Sequence, residues 1–188
     1  MAKVRKNIII RGLSGDLGKQ LRIRTGKISG RTNVFAIADF GTAREDSPAQ
    51  AAHKQAVREA AAYANANKEN PIYVTIAKGK ERQAKNVAMT DWFHPPRILE
   101  IDLRGWRGAA GQVIRVLAVD DVKVGQVHVE IADGAGTILE TGQAALAVTQ
   151  RWEYPLRQAH SGSVTVTVFA RDLPGHVTQA STSKKLPG

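Results

Sequence analysis

Residues 164–170 read Val-Thr-Val-Thr-Val-Phe-Ala. Val164, Val166, Val168 and Ala170 alternate with Thr165, Thr167 and Phe169. Successive side chains of a strand point to opposite faces, so this stretch is a strand with one aliphatic face and one mixed face. The same rhythm recurs upstream, where Val127, Val129 and Ile131 alternate with Gln126, His128 and Glu130. Gln112 to Val119 is an aliphatic run with one charge and reads as a buried strand. Leu99, Ile101 and Leu103 fall on one face of another strand, with Glu100 and Asp102 on the other. Thr137 to Ala144, Arg151 to Tyr154 and His176 to Ser181 complete the set, separated by the turns Ala132-Asp133-Gly134-Ala135-Gly136 and Leu173-Pro174-Gly175. About seven short strands with turn signals every 8 to 12 residues predict a β-sandwich.

The pattern before Trp92-Phe93-His94-Pro95-Pro96 is different, and the two prolines mark the boundary by stopping a helix and forcing extended backbone. Ser47-Pro48-Ala49-Gln50 is a helix start, with a capping serine, a proline suited to the first helical position and a glutamine placed to close a capping box. Ala49, Ala52, Ala56, Val57, Ala60, Tyr63 and Ala64 follow at helical spacing, so residues 47–66 are expected to be a helix with a shallow, small-residue stripe. Ala84, Val87, Ala88 and Trp92 predict a second helix over 82–93. Between them Ile72-Tyr73-Val74-Thr75-Ile76 is β-branched, but its helical surroundings favour a turn of helix.

The first 46 residues read as a basic β-ribbon. Leu21, Ile23 and Thr25 share one strand face, with Arg22 and Arg24 on the other. Lys27 to Gly30 has the composition of a hairpin turn, and residues 34–37 return the strand. Lys6 to Ile10 is expected to be a further strand. A lone hairpin is marginal in water, so the ribbon needs a partner. The expected organisation is a ribbon over 1–46, a helical segment over 47–95, the sandwich over 96–181 and a flexible tail over 182–188. The fold class is an α+β N-terminal region, a β-ribbon plus two helices, followed by an all-β immunoglobulin-like sandwich.

Two resemblances go with these motifs. The strand Val127 to Ile131 with its turn Asp133 to Gly136, then Trp152-Glu153-Tyr154, then Val164 to Phe169 with Ala170-Arg171-Asp172, resemble a bacterial immunoglobulin-like or fibronectin-type module. The two-cysteine bridge of antibody domains is absent, so no antibody-type function follows. The first half, with Gly15-Asp16-Leu17-Gly18 and Ser47-Pro48-Ala49-Gln50, resembles the front of bacterial proteins of unknown function that place a glycine-rich hairpin and helices before a sandwich. That resemblance implies no activity.

The residues point to no chemistry. His53, His94, His128, His160 and His176 show no metal-ligand spacing, and they read as surface or edge histidines. Gly105, Gly108 and Gly111 lack the strand-loop-helix setting of a dinucleotide fingerprint. Asp120, Asp121 and Asp133 suit turn chemistry better than a dedicated calcium loop. There is no cysteine, no triad and no paired carboxylate, so a non-enzymatic protein without catalytic, metal or cofactor sites is expected.

Charge and composition carry the functional expectation. The chain has 188 residues and net charge +10. Residues 1–95 hold 17 Lys and Arg against 8 Asp and Glu, while residues 96–175 hold 8 against 9. A basic front on a neutral sandwich predicts association. The preferred expectation is a self-assembling structural protein, forming a filament, tube or ring, whose arm residues Ile8, Ile9, Ile10, Leu21 and Ile23 pair with a neighbouring copy. The alternative is nucleic-acid binding, with Arg22 and Arg24 about 6.6 Å apart on one strand face and Lys19, Lys27 and Arg31 nearby. A phage or virion accessory module is a third expectation. No run approaches the roughly 18 apolar residues of a membrane span. Ile8 to Ile10 is too short for a signal-peptide core, so synthesis in the cytoplasm without Sec-type export is expected.

Overall fold

A computed structural model of the chain describes residues 2–3, 15–17, 20–26, 30–37 and 45–187. It divides into two units, residues 1–58 with 79–82, and residues 59–78 with 83–188. The first contains a four-stranded antiparallel sheet of β1 (Ala2–Lys3), β2 (Gly15–Leu17), β3 (Leu21–Thr25) and β4 (Thr32–Ala36), in the order β1-β4-β3-β2. The expected hairpin is present: Leu21 faces Ala36 and Thr25 faces Thr32, whose hydroxyls lie 2.8 Å apart. The same unit holds the start of α1 (Pro48–Ala66), where the predicted capping box forms. The Ser47 N–H donates to Gln50 Oε1 at 2.9 Å, and the Gln50 N–H donates to Ser47 Oγ at 3.3 Å.

Two of the expected arm residues, Leu21 and Ile23, pair within the chain: along Leu21 to Ile23, β3 has β2 on one side and β4 on the other. Ile23 is buried. Ile8, Ile9 and Ile10 lie outside the described residues.

The second unit holds residues 59–78 and 83–188, so it groups most of the helical segment with the sandwich. Three helices occur among the described residues rather than two, because residues 71–79 form a full helix, α2 (Pro71–Gly79), ahead of α3 (Ala84–Trp92). Pro71, which ends the preceding pattern, occupies the first position of the next helix, and Asn70 Oδ1 caps it by accepting the Ile72 N–H at 3.0 Å. Ala64, Tyr73, Ala77, Val87 and Ala88 form a small core, onto which Val122 and Leu173 from two turns of the sandwich pack.

The sandwich is built from β5 (Arg97–Asp102), β6 (Val113–Val119), β7 (Val124–Asp133), β8 (Ile138–Gln143), β9 (Ala145–Leu146), β10 (Trp152–Pro155), β11 (Gly162–Asp172) and β12 (Val177–Leu186). One sheet runs β5-β6-β10-β9 and the other β12-β11-β7-β8. These are the ABED and GFC orders of the immunoglobulin fold, with β8 as an added strand beside the C position. The inward faces are those predicted: Val127, Val129 and Ile131 of β7 and Val164, Val166, Val168 and Ala170 of β11 are all buried. Trp106, Ile114, Val116, Trp152 and Tyr154 fill the opposite side.

Two strands depart from the predicted pattern. In β5, Ile98 pairs with Ala118 and Glu100 with Leu117, so Leu99 is an extra bulged residue. A bulge re-phases the alternation; Leu99 is 57% exposed, while Ile98 and Ile101 pack on the core. The expected flexible tail over 182–188 is instead largely the end of β12, which pairs with β11 from Val177 through Leu186. Thr165 with Ser183 and Thr167 with Ser181 form hydroxyl pairs across it, at 3.1 and 3.0 Å. Lys184 Nζ donates to the Leu103 and Trp106 carbonyls, and Leu186 is buried. Leu186→Ala is therefore expected to cost about 2–4 kcal/mol in urea unfolding, where a flexible tail would give no change.

Candidate functional site

His160 corrects the reading of the histidines as surface groups. Its ring is buried beneath the sandwich end, edge-on to Trp106 with centroids 5.8 Å apart. Its Nε2–H donates to Glu140 Oε2 at 2.8 Å. Glu140 Oε1 accepts the Tyr154 hydroxyl at 2.8 Å and the Arg157 N–H at 2.9 Å. Burial raises the Glu140 pKa, but these donors outweigh it and hold the carboxyl below its ordinary range. Two glycines allow the close packing. Gly108, at φ +98°, runs against the His160 carbonyl, and a side chain at Gly142 would come within 2.8 Å of the Tyr154 ring. The network has no open face and is a structural element of the sandwich.

A second polar cluster lies where the helices meet the sandwich turns. Tyr73 Oη donates to Asp91 Oδ2 at 2.5 Å, and Tyr63 Oη is 2.7 Å from Tyr73 Oη. Asp91 is fully buried and its other oxygen, Oδ1, has no hydrogen-bond partner. Burial, reinforced by Asp120, Asp172 and Asp121, pushes the Asp91 carboxyl up to about 6 against the pull of the Tyr73 hydrogen bond. Burial and the hydrogen bond to Asp91 push the Tyr73 hydroxyl up as well. Asp172 organises the β11–β12 turn by accepting the Gly175 and His176 N–H groups and pairing with His176 Nδ1 at 2.9 Å. His176 in turn sits edge-on to Trp92, and Asp121 pairs with His94 at 2.8 Å.

The acidic residues weighed against calcium serve turns. Asp120 Oδ2 accepts the Lys123 N–H, and Asp133 Oδ1 accepts the Ala135 and Thr137 N–H groups. Among the described residues no group of three or more His, Asp or Glu is placed to hold a metal. No described helix is long and apolar enough to cross a membrane.

The basic ribbon is partly neutralised. Arg22 stands directly opposite Asp16 and holds it with two bonds, 2.6 and 3.0 Å. The Arg22 bond lowers the Asp16 pKa. Arg24 and Arg31 are exposed, and Lys19 and Lys27 lie outside the described residues. Of the expected polyanion contacts, the structure places Arg22 and Arg24 on one strand face, and the first of these already has a carboxylate.

The sandwich edges differ in how open they are. β5 is bulged at Leu99 and β9 has only two residues. β8 is bulged at Leu139, whose carbonyl accepts from Gln158 Nε2 at 2.7 Å. β12 pairs with β11 over ten consecutive residues without a bulge, and its outer side has no strand partner among the described residues. Its stretch Val177 to Ser183 carries no charge and no proline, and Thr178, Ala180 and Thr182 are half-buried along the rim of the sandwich.

Sequence reasoning missed His160, Glu140, Asp91 and the β12 edge. A signal existed for Asp91, which falls on the same helical stripe as Ala84, Val87 and Ala88. None existed for the pairing of Glu140 with His160, twenty residues away across a sheet.

No family model and no curated protein matches the chain. Among solved structures it is similar to CopC from Methylosinus trichosporium OB3b, with 12% identity, TM-score 0.39, and 49% of this chain and 93% of that one covered. It is also similar to a tetra-tandem repeat in the extending region of a large adhesion protein, with 20% identity, TM-score 0.35, and 48% of this chain and 23% of that one covered.

Glu140 gives a pH test of the buried network. Its folded pKa is lowered, so its contribution to stability is present above the ordinary carboxylate range and is lost as pH falls through the folded value. Glu140→Gln is expected to cost about 1–3 kcal/mol at neutral pH and to flatten the acid limb of a stability-versus-pH curve measured by urea unfolding.

Proposed function

We propose that the chain is a non-enzymatic structural subunit that joins copies of itself by strand addition, with the outer edge of β12 as the acceptor. The single observation behind this reading is the state of that edge. Sheet edges in soluble proteins are usually blunted by charge, proline, bulges or brevity. Three edges of this sandwich carry such a device, while seven residues of β12 carry none.

The proposed donor is Lys6 to Ile10, the part of the expected arm that falls outside the described residues. A five-residue strand spans about 16 Å and fits within the seven uncharged residues Val177 to Ser183, ahead of Lys184 and Lys185. Main-chain hydrogen bonds supply affinity in strand addition, and alternate side chains dock into the rim. Thr178, Ala180 and Thr182 are small and half-buried along that rim. Such an arm makes a head-to-tail contact, so the product is a filament or tube if the rotation stays open and a ring if it closes. The ion pair between Arg22 and Asp16 weighs against the nucleic-acid alternative.

An inward-pointing charge on an edge strand blocks pairing at small cost to the fold. Light scattering and negative-stain microscopy are therefore expected to detect assemblies of the native sequence and none of Ala180→Lys, with thermal unfolding nearly unchanged. Lysines at Ile8 and Ile10 together are expected to have the same effect. A full-length chain that stays monomeric at the highest concentration reached overturns the proposal.

A further inference from the structure

We propose that Asp91 is a proton-operated latch between the helices and the sandwich: with its proton bound the helices stay docked, and loss of that proton loosens α2 and α3 from the sandwich turns. The latch is independent of the strand-addition reading.

The geometry points to it in three ways. Asp91 lies at the end of α3, fully buried, yet only one of its oxygens has a partner. A buried carboxylate with an unmatched oxygen is among the costlier groups to bury, and adding a proton removes the charge. Among the described residues Asp91 has no ion-pair partner, and its side chain's one hydrogen bond is to Tyr73. Tyr63 approaches from α1, Tyr73 from α2, Asp120 and Asp121 from the β6–β7 turn, and Asp172 from the end of β11. The two nearby histidines, His94 and His176, are engaged with Asp121 and Asp172. Asp120 Oδ1 is also buried without a partner, so the two unmatched carboxylate oxygens at this joint come from opposite sides of it.

Asp91 belongs to the interface it controls. Its neighbours Val87 and Ala88 pack with Tyr73 and Ala77, and with Val122 and Leu173 of the same two sandwich turns. Ionising Asp91 places a negative charge among the three other carboxylates at that contact. The folded pKa of about 6 lies above the ordinary 3.8. The bound proton therefore stabilises docking fully below about pH 4, and this stabilisation fades as pH rises through about 6. From below pH 4 to well above pH 6 the opening equilibrium changes by about a hundredfold.

Hydrogen exchange of the full chain tests the latch. Protection factors of α2 and α3 amides are expected to fall by about tenfold between pH 5 and 8, while those of β7 and β11 hold. Asp91→Asn keeps the volume and an acceptor for Tyr73 but no charge, so it is expected to keep the helices protected at pH 8 and to remove the pH response. Asp120→Asn withdraws one neighbouring charge and so lowers the Asp91 pKa; it is expected to shift the loss of protection to lower pH and to make that loss smaller. Helices that follow the strands across the whole range overturn the proposal. So does a pH response that survives Asp91→Asn, which would place the titration on another group. Protection restored in the native sequence at pH 8 by added calcium or magnesium, and lost in Asp91→Asn, overturns it in favour of a bound cation.

Discussion

The rows of aliphatic side chains on β7 and β11 are the constraint on which this structure depends. Val127 lies opposite Ala170, Val129 opposite Val168 and Ile131 opposite Val166, and all six are buried. Each buried valine or isoleucine contributes about 1.5–3 kcal/mol. A slip of one residue would turn every one of them to the solvent face. The register of β8 and β12 follows from this central pair, and so do the turns on which Val122 and Leu173 present themselves to the helices.

Around that apolar centre the molecule places two buried polar clusters in opposite electrostatic conditions. Glu140 has three donors and is held as a carboxylate, because lone pairs that lose water gain a hydrogen bond in return. Asp91 has one donor and three acidic neighbours, so burial works against its charge. The same carboxyl chemistry thus gives a fixed strut in one place and a titratable contact in the other. The difference is the number of donors that the fold brings within reach.

In the N-terminal region the partners of the basic strand are supplied locally. A basic strand beside an exposed edge invites association, but β3 meets its partners within its own sheet, and Asp16 answers Arg22 across the ladder. Strand addition as proposed rests instead on main-chain hydrogen-bonding capacity along β12 of the sandwich. That strand is long because its hydroxyl pairs with β11, and the anchoring of Lys184 beyond them, carry the ladder through to Leu186.

Much of this was legible in the order of residues. The alternation at 127–131 and 164–170 determined two strands and their inward faces, and Ser47-Pro48-Ala49-Gln50 determined the start of α1, because period and capping are local properties. Non-local partners decided the rest. Leu99 alternates correctly by its neighbours, yet the bulge against β6 turns it outward. Pro71 reads as a stop until Asn70 is seen capping the next helix, and Thr182 to Leu186 reads as a tail until β11 is beside it. Glu140 with His160, and Asp91 with Tyr73, depend on contacts between segments distant along the chain. Sequence alone determined which faces seek burial, since that is set by side-chain spacing. Only tertiary structure decided which polar groups end up beneath those faces, because burial and hydrogen-bond partners exist only once separate strands and helices have packed.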